Sequence, residues 1–196
     1  MRVKICGITN LEDALWAIEY GADALGFVFY EKSPRYISVD KAREIVDILP
    51  PFIERVGLFV NCDSSHVNRV CFDTQMSLAQ IHFEPEVNFF EELKYKYMRV
   101  IRADSKEKIS NFADGYRIVD AFVDSYGGEG KRVDLSWFDN QDCSNIILAG
   151  GLDSQNLEEV IKYNFYGVDV SSGVEAFKGK KDRLKMKNFI EMVKNG

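Results

Sequence analysis

Cys6 stands where a short apolar stretch, residues 3–6, meets Gly7 and a helical pattern is about to begin. In α/β folds ligands bind at such strand-to-helix edges. A thiol there can feel the partial positive charge of helix N-termini, which favours thiolate. Buried free cysteines are also common and mostly inert, so the rest of the chain must decide. The predicted strand ends supply, in order, Cys6, Arg35 in the second loop, Asn61, His82, Arg102, Asp124, Gly150-Gly151 and Ser171-Ser172-Gly173. The set contains one nucleophile or base, one carboxylate, cations and two glycine-bearing loops. Read singly, each has a plainer use. Asp124 could cap a loop, Arg35 could be a solvated charge, His82 could be structural, and Gly150-Gly151 could be a tight turn.

The elements that must position these residues can be read from apolar patterning. Strands are expected at residues 3–6, 23–29, 55–60, 78–81, 97–101, 118–123, 146–148 and 167–170. Between them run helical or near-helical segments. Thr9 and Glu12 have the spacing of a capping box, ahead of a face made by Leu11, Ala14, Leu15 and Ile18. Ser38 can cap a helix carrying Ala42, Ile45, Val46 and Leu49, and Pro50-Pro51 stops it. Asp63 or Ser64 begins a helix with Val67, Val70 and Cys71 inward. A weaker pattern spans 85–93, and only a helical turn fits at 105–112. A short helix fits at 134–139, and Asp153 or Ser154 caps one carrying Leu157, Val160 and Ile161. The last helix has Met186, Phe189, Ile190 and Val193 on one face.

Eight strands alternating with eight such segments predict a parallel sheet with helical crossovers, closed as a (β/α)8 barrel. A doubly wound open sheet would need fewer strands. Such barrels usually run to about 250 residues, so a chain of 196 residues must be compact, with stunted helices. Barrel enzymes often hold phosphate between the loops after strands seven and eight. Here those loops are 149–151 and 171–173, and two of them in the right places favour phosphate binding.

Composition narrows the classes. With 46% hydrophobic residues the chain can fill one core, and residues 1–196 are expected to form a single domain. Net charge is −6 and no basic tract of five appears, so nucleic acid is not an expected partner. An anionic ligand would need a local positive site. Cys6, Cys62, Cys71 and Cys143 include no C-x-x-C pair, and a zinc site is not expected. Cys62, Cys71 and Cys143 read as packing residues. The absence of a run of ~18 apolar residues argues against a membrane span. A reducing, cytoplasmic setting is expected.

The chain resembles the phosphoribosylanthranilate isomerase family along nearly its whole length. The blocks are KICGIT at 4–9, GADALGFVF at 21–29, SPRYI at 33–37, VGLFVN at 56–61, QIH at 80–82, Asp124 with GGEGK at 127–131, LAGGL at 148–152 and VDVSSGVE at 168–175. The resemblance implies a compact barrel and an Amadori rearrangement in tryptophan biosynthesis. It implies no cofactor and no metal, a phosphorylated aminosugar substrate, and a monomer or homodimer. Cys6 matches the family's general base and Asp124 its general acid. Arg35 matches the residue that binds the anthranilate carboxylate, and His82 and Asp169 match polar residues lining the site. Gly150, Gly151, Ser171, Ser172 and Gly173 match the phosphate loops. For such chemistry near neutrality the thiol's pKa should fall, through helix N-termini, and the carboxyl's should rise, through burial.

Three departures stand out. Phe83 replaces the glycine that usually follows the histidine, Glu129 replaces Thr or Ser in the glycine-rich loop, and Val133-Asp134-Leu135 replaces Phe-Asp-Trp. A related isomerisation of a bisphosphorylated aminoaldose would need a second phosphate site, and a non-catalytic binder of a phosphorylated ligand would not need the acid–base pair.

Overall fold

Eight parallel strands close on themselves in the computed structural model, which describes residues 1–110, 112, 114–121 and 132–196. They are β1 Arg2–Cys6, β2 Ala24–Val28, β3 Glu54–Phe59, β4 Leu78–Ile81, β5 Lys96–Ala103, β6 Arg117–Ala121, β7 Ile146–Ala149 and β8 Gly167–Val170. Each pairs with the next, and β1 pairs with β8 through Lys4 and Asp169. The helices are α1 Leu11–Glu19, α2 Val39–Val46, α3 Ser64–Thr74, α4 Phe89–Glu92, α5 Lys106–Ile109, α6 Leu157–Ile161 and α7 Arg183–Asn195. A 3₁₀ turn, Leu135–Phe138, lies between β6 and β7 where a short helix was expected. After β8 comes a small antiparallel hairpin, β9 Glu175–Phe177 and β10 Lys180–Lys181. The expected barrel is present, with helices shortened where the chain is short.

Alternation along each strand divides the core in two. Outward residues such as Ile5, Phe27, Phe59, Ile81, Val119 and Leu148 pack against the helices. Inward residues fill the barrel, with Cys6, Val28, Leu58 and Val60 in one cluster and Met98, Val100, Ile118, Ile147 and Ala149 in another. On α7 the expected face is buried: Met186, Phe189, Ile190 and Val193. Each such side chain contributes roughly 1.5–3 kcal/mol by leaving water.

Several local expectations need correction. Asn10, rather than Thr9, caps α1, accepting from the Asp13 amide at 2.9 Å. Thr9 instead donates its hydroxyl to the Gly179 carbonyl in the hairpin. The helix buries Asp13, Ala14 and Ala17, and Leu15 is exposed. Asp13 is kept inside because it accepts from Lys180 Nζ at 2.6 Å and the Lys181 amide at 2.8 Å, pinning the hairpin to α1. Asp63 and Ser38 cap as expected, through the His66 and Lys41 amides. Asn156 occupies the cap position of α6. Asp153 forms a turn before it, accepting from the amides of Gln155 and Asn156. The helix expected at 85–93 shrinks to the single turn of α4.

Phe83 packs with the core on the helix side of the barrel, and its ring meets Phe89 edge-on at 5.4 Å. The bulky residue thus anchors α4. Glu129 lies outside the described residues. Cys71 and Cys143 are buried packing residues, and Cys62 is partly buried against the same core.

Candidate active site

The strand registers fix the height of each inward side chain. Neighbouring strands are staggered so that alternate strands supply the four side chains of a layer. Following the pairings round the barrel, Cys6, Leu58, Val100 and Ala149 share one layer. Gly26, Gln80, Ile118 and Asp169 lie beneath it, and Val28, His82, Asp120 and Ser171 lie above. Arg102 is the register partner of Asp120 across β5 and β6. Cys6, His82, Asp120, Arg102 and Ser171 therefore meet at the C-terminal mouth.

Beneath Cys6 lies a buried ion pair. The Lys4 ammonium sits 2.8 Å from both oxygens of Asp169. Space for it exists because β2 carries Gly26 here. A Cβ at that glycine would stand 2.8 Å from Cys6 Sγ and 3.1 Å from Lys4 Nζ. Asp169, expected to line the site, does so as the partner of Lys4. Burial works to lower the Lys4 pKa, but Asp169 and Cys6 raise it overall, so the ammonium is retained.

Cys6 is buried. Burial pushes its thiol above the ordinary value, with Lys4 and Lys181 pulling the other way and Asp169 adding to the rise. This corrects the expected fall: desolvation outweighs the cations. His82 is driven down to about 3, first by burial and then by Arg102 and Lys4, so its ring is neutral near pH 7.

Asp124 lies outside the described residues. A carboxyl that the sequence did not single out, Asp120, faces the barrel mouth from β6. Its pKa is pushed up to about 7, first by burial and then by the Asp169 charge, against the Ala121 amide, Arg102 and Lys4. Half-protonated near neutrality, it adds a hydrogen-bond donor to the mouth rather than a full negative charge. The sequence carries no signal for it, because it falls inside an expected strand, where a buried carboxyl is rare.

Arg35 packs against Gly7, the residue that follows Cys6, whose φ is +77°. A Cβ at Gly7 would lie 2.6 Å from Arg35 Cδ. The guanidinium is buried, and its Nε and Nη2 donate to the two carboxylate oxygens of Glu175, each at 2.7 Å. That leaves the Nη1–Nη2 edge unused by the pair. Glu175 is held below the usual carboxyl range; burial opposes this, but Arg35 and Lys181 prevail.

The two glycine-bearing loops lie side by side. Gly150 and Gly151 have φ of +88° and +61°, and Asn156 Nδ2 holds the Gly151 carbonyl at 2.9 Å. A Cβ at Gly173 would lie 1.8 Å from the Leu152 carbonyl oxygen, so no side chain fits where the loops touch. Ser171 Oγ donates to the Cys6 carbonyl at 3.0 Å, joining this corner to the thiol's own residue. Among the described residues no cluster of three His, Cys, Asp or Glu side chains could hold a metal.

Residues 3–192 match the family model of N-(5'-phosphoribosyl)anthranilate (PRA) isomerase. A curated relative from a Nitratiruptor species, N-(5'-phosphoribosyl)anthranilate isomerase, is 61% identical over 194 residues, covering 99% of each chain. The crystal structure of phosphoribosyl anthranilate isomerase from Thermotoga maritima superposes with a TM-score of 0.91 at 40% identity, over 100% of both chains. A second structure, the isomerase in complex with reduced 1-(o-carboxyphenylamino)-1-deoxyribulose 5-phosphate, gives a TM-score of 0.86 at 38% identity, again over 100% of both. With a barrel mouth that gathers a thiol, cations and paired loops, and likeness along the full length, the chain belongs to the N-(5'-phosphoribosyl)anthranilate isomerase family.

Proposed function

We propose that this protein catalyses the Amadori rearrangement of N-(5-phosphoribosyl)anthranilate to 1-(2-carboxyphenylamino)-1-deoxyribulose 5-phosphate in tryptophan biosynthesis, with Cys6 as general base and Asp124 as general acid. The observation that carries this reading is the placement of Cys6 above the Lys4–Asp169 pair, with Arg35 and the two glycine-bearing loops beside it, in a chain of this family.

Asp124, in its protonated form, donates to the ribose ring oxygen as the ring opens to an iminium. The Cys6 thiolate then takes the proton from C2. The resulting enolamine tautomerises to the ketone, and no electrons enter or leave the substrate. Lys4 and Lys181 favour the thiolate that this step requires. Neutral His82 offers a hydrogen bond without competing for the proton. Asp120, half-protonated near pH 7, lines the mouth without repelling an anionic substrate as a full charge would.

Arg35 binds the anthranilate carboxylate through the guanidinium edge that Glu175 leaves unused, a task suited to its planar fork. The loops holding Gly150, Gly151, Ser171, Ser172 and Gly173 take the phosphate through backbone N–H groups. A cytoplasmic setting is supported by four free cysteines. Among the described residues no helix is long and apolar enough to cross a membrane. The test is loss of N-(5-phosphoribosyl)anthranilate fluorescence on adding the purified protein.

A further inference from the structure

Lys181 is a buried cation that itself gives and takes no proton in the steps above. It is 2% exposed, at the end of the hairpin. Its Nζ lies 3.1 Å from Glu175 Oε1, 3.2 Å from the Ser171 carbonyl and 3.4 Å from Ser171 Oγ. Its amide is fixed to Asp13 of α1. Glu175 grips Arg35, and Ser171 grips the Cys6 carbonyl. One connected chain therefore runs Arg35, Glu175, Lys181, Ser171, Cys6. Residues from the second loop, the hairpin, the eighth loop and β1 are tied together by a single ammonium.

The charges have a net sign. Among the described residues of this corner, Arg35, Lys181 and Lys4 are paired with Glu175 and Asp169. A chain of net charge −6 thus presents a locally positive site to an anion. Burying an ammonium is costly, and the three oxygens around Lys181 offset that cost.

We propose that Lys181 is a positioning residue for the isomerisation: it locks Arg35 to the phosphate loop through Glu175 and Ser171, and places a positive charge on the Cys6 side of the mouth. This rests on the isomerase reading above. Cys6 is faced by Lys4 of β1, Asp169 of β8, Lys181 of β10 and Arg35 of the second loop, with His82, Asp120 and Arg102 around the mouth. Removing Lys181 takes away one of the cations that favour the thiolate, and loosens both ends of the substrate site.

The experiment follows Cys6 alkylation by iodoacetamide against pH, with the modified peptide identified by mass spectrometry. Wild type is compared with Lys181→Met and with Lys181→Gln, which keeps hydrogen bonding without charge. The midpoint for Cys6 moves alkaline by about one pH unit in both variants, the scale of a nearby charge at intermediate dielectric. KM for the phosphorylated substrate rises, and kcat/KM near neutrality falls about tenfold. An unmoved midpoint with unchanged KM in a folded variant overturns the proposal. So does failure of both variants to fold, which would make Lys181 purely structural. Alkylation needs no turnover. An inactive wild type would therefore sink the isomerase reading, whereas an unmoved midpoint with unchanged KM would sink the Lys181 proposal alone.

Discussion

The Lys4 ammonium holds both carboxylate oxygens of Asp169 at 2.8 Å, in the barrel interior beneath Cys6. Asp169 is thereby engaged as an ion-pair partner, which argues against its serving as the acid. Two aspartates remain to be separated, Asp124 and Asp120. Asp124→Asn is expected to lower kcat by at least about a hundredfold, the lower range for a general acid. Asp120→Asn keeps the hydrogen-bonding shape of a half-protonated carboxyl and is expected to stay within about tenfold of wild type. Steady-state kinetics of the two variants decide; the reverse order would pass the acid role to Asp120.

The pH profile follows from the thiol. The active form needs Cys6 deprotonated and the acid protonated, so kcat/KM should be bell-shaped. Where the thiol titrates above the carboxyl, the alkaline limb reports the thiol. Burial raises Cys6, so that limb is expected above the ordinary thiol value of about 8.5. An alkaline limb well below about 8 would contradict the shift.

Asp120 has a stability signature of its own. Its folded pKa is raised above the unfolded value, so its contribution is fully present below the ordinary carboxyl value of about 3.9 and is lost progressively as pH rises from there to about 7. Asp120→Asn is expected to add roughly 1–3 kcal/mol of stability at pH ~8, with the gain shrinking through pH ~5 and small below pH ~4, read by thermal melts. Equal effects at both values would show that the carboxyl carries no such penalty.

His82 runs in the opposite sense. Its folded pKa of about 3 lies below the unfolded value, so stability is lost as pH falls from about 6.5 toward 3. Its ring resonances are expected to stay unchanged by NMR between pH ~5 and ~9. Titration near 6.5 would mean an exposed or charged ring.

Phe83 separates packing from chemistry. Phe83→Ala is expected to cost about 1–2 kcal/mol, as a partly buried ring loses its contact with Phe89, while kcat stays within a few-fold of wild type. A collapse of kcat in folded protein would place the residue in the site after all.

Much of the fold was legible because inward and outward residues alternate along short, clearly bounded apolar runs. Cys6, His82, Arg102 and the two glycine-bearing loops fell at strand ends that residue patterning locates well. Asp120 did not, because it lies within the run that marks β6 rather than at its end. Lys4 and Asp169 left a usable signal: a charge inside a buried strand needs a partner, and each has one in the other. Glu175 and Lys181 left none, since their partners Arg35 and Ser171 come together only when the barrel closes. The Cys6 shift is not legible in the sequence for a related reason: helix termini can be read from it and depth of burial cannot.

The most direct test is a fluorescence assay with N-(5-phosphoribosyl)anthranilate generated in situ from anthranilate and phosphoribosyl pyrophosphate by the preceding transferase. Wild type, Cys6→Ala and Asp124→Asn would be run in parallel, with folding checked by circular dichroism. Rapid loss of signal with wild type alone is the predicted result. Turnover by folded Cys6→Ala or Asp124→Asn at the wild-type rate would contradict the assignment of the acid–base pair.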